Sequence, residues 1–151
     1  MKSYYIYIFA VFFLFSCGKN DLSKKKAKKE NDIIISAQLA KTTNKFNIAE
    51  IKSGKDFSLF VVERGKPAAV LFYSDESAPC VNSKKLFTNT AKSSAGDTLF
   101  VQVNLSDNSA KKIGLKYNIF SLPTLVLFDN GKEYDRFVGT ESIEQSNTLI
   151  K

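Results

Sequence analysis

Histidine does not occur in these 151 residues, and cysteine occurs only twice, as Cys17 and Cys80. Without an imidazole, His-based catalytic triads, His metal sites and imidazole pH switches are excluded. Structural metal sites draw about four ligands mainly from Cys and His, so neither a metal nor another cofactor is expected. Long apolar runs are missing too. The longest, Tyr4 to Phe15, has twelve residues, short of the roughly 20 that span a bilayer. There are only three prolines, and no internal repeat is visible.

What is present begins with Lys2 and that apolar run, which fit the n- and h-regions of a secretory signal. Leu14-Phe15-Ser16-Cys17-Gly18 follows and resembles a bacterial lipobox, where cleavage precedes a cysteine whose sulfur then carries a diacylglycerol. Phe15 is bulkier than usual for its place. An ordinary signal peptide and an uncleaved anchor are the alternatives. The expected division is a lipoprotein signal peptide at 1–16, a lipidated Lys-rich tether at 17–44 and one domain at 45–151. This puts the protein in the bacterial cell envelope, held to a membrane through lipid on Cys17 and facing the periplasm. Gly18 is not the aspartate that signals inner-membrane retention, which suggests the outer membrane by the enterobacterial convention. Two cysteines in an exported protein would ordinarily suggest a disulfide. A thioether-linked Cys17 cannot pair, so Cys80 becomes the free thiol.

The formal charge of +7 is not a property of the domain. Residues 1–31 hold seven lysines against Asp21 and Glu30 and so account for five of the seven net charges. Lys24-Lys25-Lys26-Ala27-Lys28-Lys29 lacks interleaved aromatics, which argues against nucleic acid. It reads as a solvated linker, or as a run lying against anionic headgroups.

Along the rest of the chain, residues 46–51 roughly alternate apolar and polar, as in a half-buried strand. Asp56 opens a helix to Arg64. Ala68 to Tyr73 is continuously apolar, fitting a strand covered on both faces. A helix is expected from Ser77 to about Ala91, a strand from Leu99 to Val103, and a helix from Asp107 or Asn108 to Tyr117. A strand follows at 124–128. Asp129-Asn130-Gly131 marks a hairpin, since both central residues of a type I′ turn need positive φ. The returning strand is 132–138, and a last helix starts at Thr140. Strands alternating with helices predict an α/β fold with a mostly parallel sheet and an antiparallel C-terminal hairpin.

The chemistry concentrates at Ser77-Ala78-Pro79-Cys80, directly after the buried strand. It reads as a C-x-x-C dithiol with its first thiol replaced by a hydroxyl. This approach (Lys66-Pro67, strand, Tyr73, then S-x-P-C) and Ser121-Leu122-Pro123-Thr124 before the 124–128 strand resemble thioredoxin over residues 45–150. They are closer still to the thioredoxin-like domain of the DsbD thiol:disulfide interchange proteins. Gly139 matches a third family position.

The resemblance implies a thioredoxin-like fold and a cis Leu122–Pro123 bond opposite the redox motif. It also places Ser77 where the nucleophilic cysteine stands, Glu76 at the usual tryptophan and Leu71 at a buried, proton-handling aspartate. Disulfide exchange needs an attacking thiolate and a second thiol to release the mixed disulfide. Cys80 corresponds to the resolving thiol and has no partner within the motif, so dithiol turnover is not expected.

Ser77 doubles as a helix N-cap, with Pro79 in the first turn needing no donor. Cys80 reads either as an inert buried side chain or as a reactive monothiol. The backbone beside Pro123 is where family members pair with extended substrates, so Leu122 and Pro123 are candidate peptide-binding residues. Tyr73 and Phe120 either flank that groove or belong to the core. The expectation is a monomeric module binding envelope proteins or peptides. The alternatives are a monothiol redox protein acting through Cys80 and a structural envelope lipoprotein.

Overall fold

A computed structural model describes residues 19–42 and 48–146. The chain divides into two compact units, residues 1–34 and 35–151. The element assigned at the N-terminal side is a helix, α1 (Lys19–Thr42), where the sequence suggested a linker. Lys24 to Ile34 are exposed along it. Among the described residues no helix is long and apolar enough to cross a membrane.

The second unit begins ten residues earlier than the expected start at residue 45. Ile35 and Leu39 lie one helical turn apart and are buried in the domain core. The run Ile33-Ile34-Ile35 shows no periodicity by itself, so its third residue could not be assigned to that core from sequence.

The remaining elements are β1 (Ile48–Glu50), α2 (Gly54–Phe57) continuing as a π-helix (Ser58–Glu63), β2 (Ala68–Tyr73), α3 (Ala78–Ser93), β3 (Leu99–Asn104), α4 (Asn108–Lys116), β4 (Thr124–Asp129), β5 (Lys132–Val138) and α5 (Thr140–Ser146). They form a thioredoxin-like α/β fold around one mixed sheet in the order β1-β3-β2-β4-β5. β3 pairs in parallel with β1 and β2. β4 runs antiparallel to β2 and β5 antiparallel to β4. The reversal therefore begins where β4, the first strand of the hairpin, meets β2.

Strand β2 shows why this sheet has two covered faces. Every residue from Ala68 to Tyr73 is buried. Ala68, Val70 and Phe72 join one core cluster with Phe57 and Phe60 before β2 and Ile113 of α4. Ala69, Leu71 and Tyr73 join the other, with Cys80 and Phe87 of α3 and Ile143 of α5. Alternation with period two thus divides one apolar run between two layers.

Helix α2 starts at Gly54 rather than Asp56, because Ser53 is the N-cap. Its hydroxyl accepts from the Asp56 amide at 3.1 Å and donates to the Asp56 carboxylate at 2.7 Å. The β4–β5 turn has Asn130 at φ 49° and Gly131 at φ 75°.

Candidate functional site

The candidate site forms where β2 ends and α3 begins. Ser77 is the N-cap of α3, with φ −104° and ψ 115°, yet its hydroxyl makes no capping bond. An N-cap side chain ordinarily accepts from the N2 or N3 amide. Here N2 is Pro79, which has no N–H. The N3 amide of Cys80 donates instead to the Ser77 carbonyl at 3.0 Å. The cap position expected for Ser77 is therefore right, but the backbone supplies the bond. The first turn is tied to α5 through the Pro79 carbonyl, which accepts from Ser83 Oγ at 3.2 Å and Thr140 Oγ1 at 3.4 Å.

Cys80 is a free thiol with 1 % of its surface exposed. It lies in the cluster that holds Leu71, Tyr73 and Leu125. Leu71, at the position to which the resemblance assigns a buried aspartate, is fully buried. Of the two alternatives open for Tyr73 and Phe120, the structure divides them: Tyr73 is core, and Phe120 is 87 % exposed.

A polar cluster that the sequence did not reveal borders the thiol. Lys84 Nζ donates to Tyr73 Oη at 3.0 Å and to Asp75 Oδ1 at 3.3 Å, and it stands 4.2 Å from the Tyr73 ring centroid. Burial by itself would lower the Lys84 ammonium, but its bonds and charge interactions with Tyr73 and Asp75 outweigh that and raise it. Asn104 Nδ2 donates to Asp75 Oδ2 at 2.7 Å, and Ser74 shares a 2.7 Å hydroxyl contact with Ser106. These bonds fasten the loop before Ser77 to the end of β3. Tyr73, Ser74, Asp75, Cys80, Val81 and Lys84 line an open cleft of about 250 Å³.

The second motif lies on the loop between α4 and β4. Leu122–Pro123 is cis. The Pro123 carbonyl accepts from the Gly139 amide at 2.9 Å, and Thr124 Oγ1 donates to the Ser121 carbonyl at 2.7 Å. Arg136 of β5 secures the start of the loop by donating to the Tyr117 carbonyl at 2.9 Å and the Asn118 carbonyl at 3.2 Å. Glu133 holds that guanidinium in turn through two 2.8 Å bonds.

Leu122 is half-buried and packs against the cluster containing Cys80, which brings the two motifs together. Neither its N–H nor its C=O has a hydrogen-bond partner among the described residues. Val81 and Val138 are exposed, like Phe120. Cys17 lies outside the described residues. Among the described residues no group of three or more Cys, Asp or Glu side chains could hold a metal ion.

Comparison with known proteins agrees with this geometry. The thioredoxin family model matches residues 48–151. The chain is 30 % identical over 97 residues to the thioredoxin of Rickettsia bellii, covering 64 % of this chain and 88 % of that protein. It is 35 % identical over 92 residues to the thioredoxin of Mycoplasma genitalium, covering 61 % and 86 %. Among solved structures, Schistosoma mansoni thioredoxin superposes with a TM-score of 0.59 at 27 % identity, over 71 % of this chain and 96 % of that one. Oxidised thioredoxin O2 of Arabidopsis thaliana, at 18 % identity, shares the fold with a TM-score of 0.62 over 72 % and 98 %.

Proposed function

We propose that this chain, which belongs to the thioredoxin family, is a lipid-anchored protein of the bacterial cell envelope that binds extended peptide segments and no longer turns over disulfides. The observation that carries this reading is the pairing of a lone, buried Cys80 with an open backbone at Leu122. Exchange needs an accessible attacking thiolate and a resolving thiol. Ser77 offers a hydroxyl in the attacking place, and Leu71 stands where the resemblance assigns a buried aspartate.

The surface that would meet a substrate is retained. An incoming extended strand can pair with the unengaged N–H and C=O of Leu122, and its side chains can lie on Phe120 and Val138. Exposed apolar groups beside unpaired backbone favour strand addition over a purely structural role.

The test is insulin reduction with dithiothreitol, run beside amide chemical-shift mapping with cysteine-free extended peptides. The expected result is no reductase activity above the uncatalysed rate, with shifts confined to residues 120–122 and 138–139. Turnover by the unmodified chain would overturn the loss of redox function, and a peptide series that moves none of those amides would overturn the binding role.

One observation favours a second reading. Cys80 lines the 250 Å³ cleft, so a small disulfide entering there could be attacked by the Cys80 thiolate. The Cys80–substrate disulfide would form, the other sulfur would leave as a thiolate, and an external thiol would have to release the adduct. A mixed disulfide with oxidised glutathione in the folded state, read by mass, separates this reading from the first.

A further inference from the structure

The sequence feature that the peptide groove leaves unused is the lysine run, and the structure places it on a helix. Lys24, Lys25, Lys26, Lys28 and Lys29 are all exposed on α1. None of the five has an ion-pair partner among the described residues. Helical spacing sets Lys24 against Lys28 and Lys25 against Lys29 at i,i+4, where like charges repel. Among the acidic residues of the helix, Asp21 precedes the run and Glu30 and Asp32 follow it, so none interleaves with the lysines. Such a helix gains stability from an external negative charge.

The distribution of the lysines says what kind of partner fits. At about 100° per residue the five ammonium groups spread around more than half the helix. They form no narrow stripe that a shaped protein groove could match. A fluid, laterally mobile array of anionic headgroups can meet them at any roll of the helix. Lys24 comes seven residues after Cys17. With α1 beginning at Lys19, that path measures about 15 Å at most. A headgroup layer at Cys17 is thus within about two Debye lengths of the first lysine, and nearer if the helix lies along the surface.

We infer that the basic segment of α1 lies against an anionic phospholipid surface and makes a second, electrostatic contact beside the proposed lipid on Cys17. The inference rests on the reading that residues 4–17 attach the chain to a membrane. The two chains of a diacylglycerol on Cys17 suffice for attachment, so the lysines add headgroup contact and a preference for anionic lipid rather than the anchoring itself. Each lysine at such a surface contributes roughly a fivefold gain in affinity.

The experiment takes the full chain reconstituted on vesicles of phosphatidylcholine alone or with about one third phosphatidylglycerol. Flotation scores attachment. Labelling of Lys24 to Lys29 by an amine-reactive ester, normalised to the exposed Lys132 of β5, scores headgroup contact. The expected result is flotation with both vesicles and labelling at least about fivefold slower on the anionic ones. That protection should vanish near 1 M salt, where the Debye length falls to about 3 Å, and should shrink in Lys25→Gln/Lys28→Gln. Flotation with both vesicles but equal labelling would overturn the headgroup contact while leaving attachment intact. If the chain fails to float with phosphatidylcholine, the attachment reading fails. Salt-sensitive flotation with the anionic vesicles would then still support the lysine contact, and its absence would overturn that as well.

Discussion

Restoring the first thiol with Ser77→Cys tests the site's backbone independently of its chemistry. The Cys80 amide bonds the Ser77 carbonyl at 3.0 Å, closing a four-residue turn. A turn closed in this way holds its end Cα atoms within about 7 Å, and disulfides take Cα separations of about 4.4–6.8 Å. The variant should therefore oxidise to a 77–80 disulfide without moving the backbone.

Two magnitudes follow. Removing a serine from an N-cap typically costs about 1 kcal/mol, but the Ser77 hydroxyl makes no capping bond. The reduced variant should thus match the parent within about 0.5 kcal/mol. Closing a four-residue loop removes chain entropy worth at most about 2 kcal/mol from the unfolded state, which raises the midpoint of thermal unfolding on the order of 10 °C. The assay is a mass loss of two hydrogens on mild oxidation, followed by melts with and without reductant. Two free thiols persisting in a folded, oxidant-treated variant would refute the turn argument. A reduced variant destabilised by 1 kcal/mol or more would refute the uncapped hydroxyl. Insulin reduction adds a separate answer: activity would show that the serine alone removed turnover, and a disulfide without activity would point to Leu71 and Glu76.

Further outcomes follow from other contacts. In Gly131→Ala the new Cβ would meet the Val62 carbonyl oxygen, at a φ of 75° that L side chains rarely adopt. We expect a loss of about 2–4 kcal/mol by urea unfolding, and a change within about 0.5 kcal/mol would contradict that packing. Arg136→Ala frees the Tyr117 and Asn118 carbonyls and leaves Glu133 unpaired. Amide exchange should accelerate across residues 117–122 but not in α3, with about 1–2 kcal/mol of stability lost; unchanged exchange in the loop would remove Arg136 as its clamp. The Asp97 carboxyl is held below the usual range first by the hydrogen bond from Lys66 at 2.7 Å, aided by Arg64. Its contribution is present above the ordinary value of about 4 and is lost as pH falls through the lower folded value. Asp97→Asn should cost less than about 1 kcal/mol at neutral pH, because the pair is exposed, and the difference from the parent should close in acid. A difference that persists at the acid end would disprove the linkage.

Much of the architecture was legible because it is written in short patterns. The unbroken run at 68–73 fits a strand covered on both faces, and Asp129-Asn130-Gly131 is a strong hairpin signal. What escaped depends on partners distant in the chain or on competition between neighbours. Ser53 and Asp56 are both good caps three residues apart, and only the bonds between them decide which begins α2. Ile35 looks like its neighbours Ile33 and Ile34 until Leu39, one turn on, shares its burial. The place of Asp75 in the polar cluster was not legible, since Asn104 is 29 positions away and nothing local announces it. Ser77 was readable as an N-cap by type, but its idle hydroxyl follows from Pro79 and the Cys80 amide together.

The central claim is that Cys80 is a packed side chain rather than a working thiol. Alkylation of the folded full chain, with the modified peptide identified by mass so that Cys80 alone is read, tests it most directly. A buried thiol should label at least about a thousandfold more slowly than an unfolded one and gain reactivity along the same denaturant curve as the loss of structure. Rapid, complete modification of Cys80 in native buffer near neutral pH would contradict the claim and return the protein to redox chemistry.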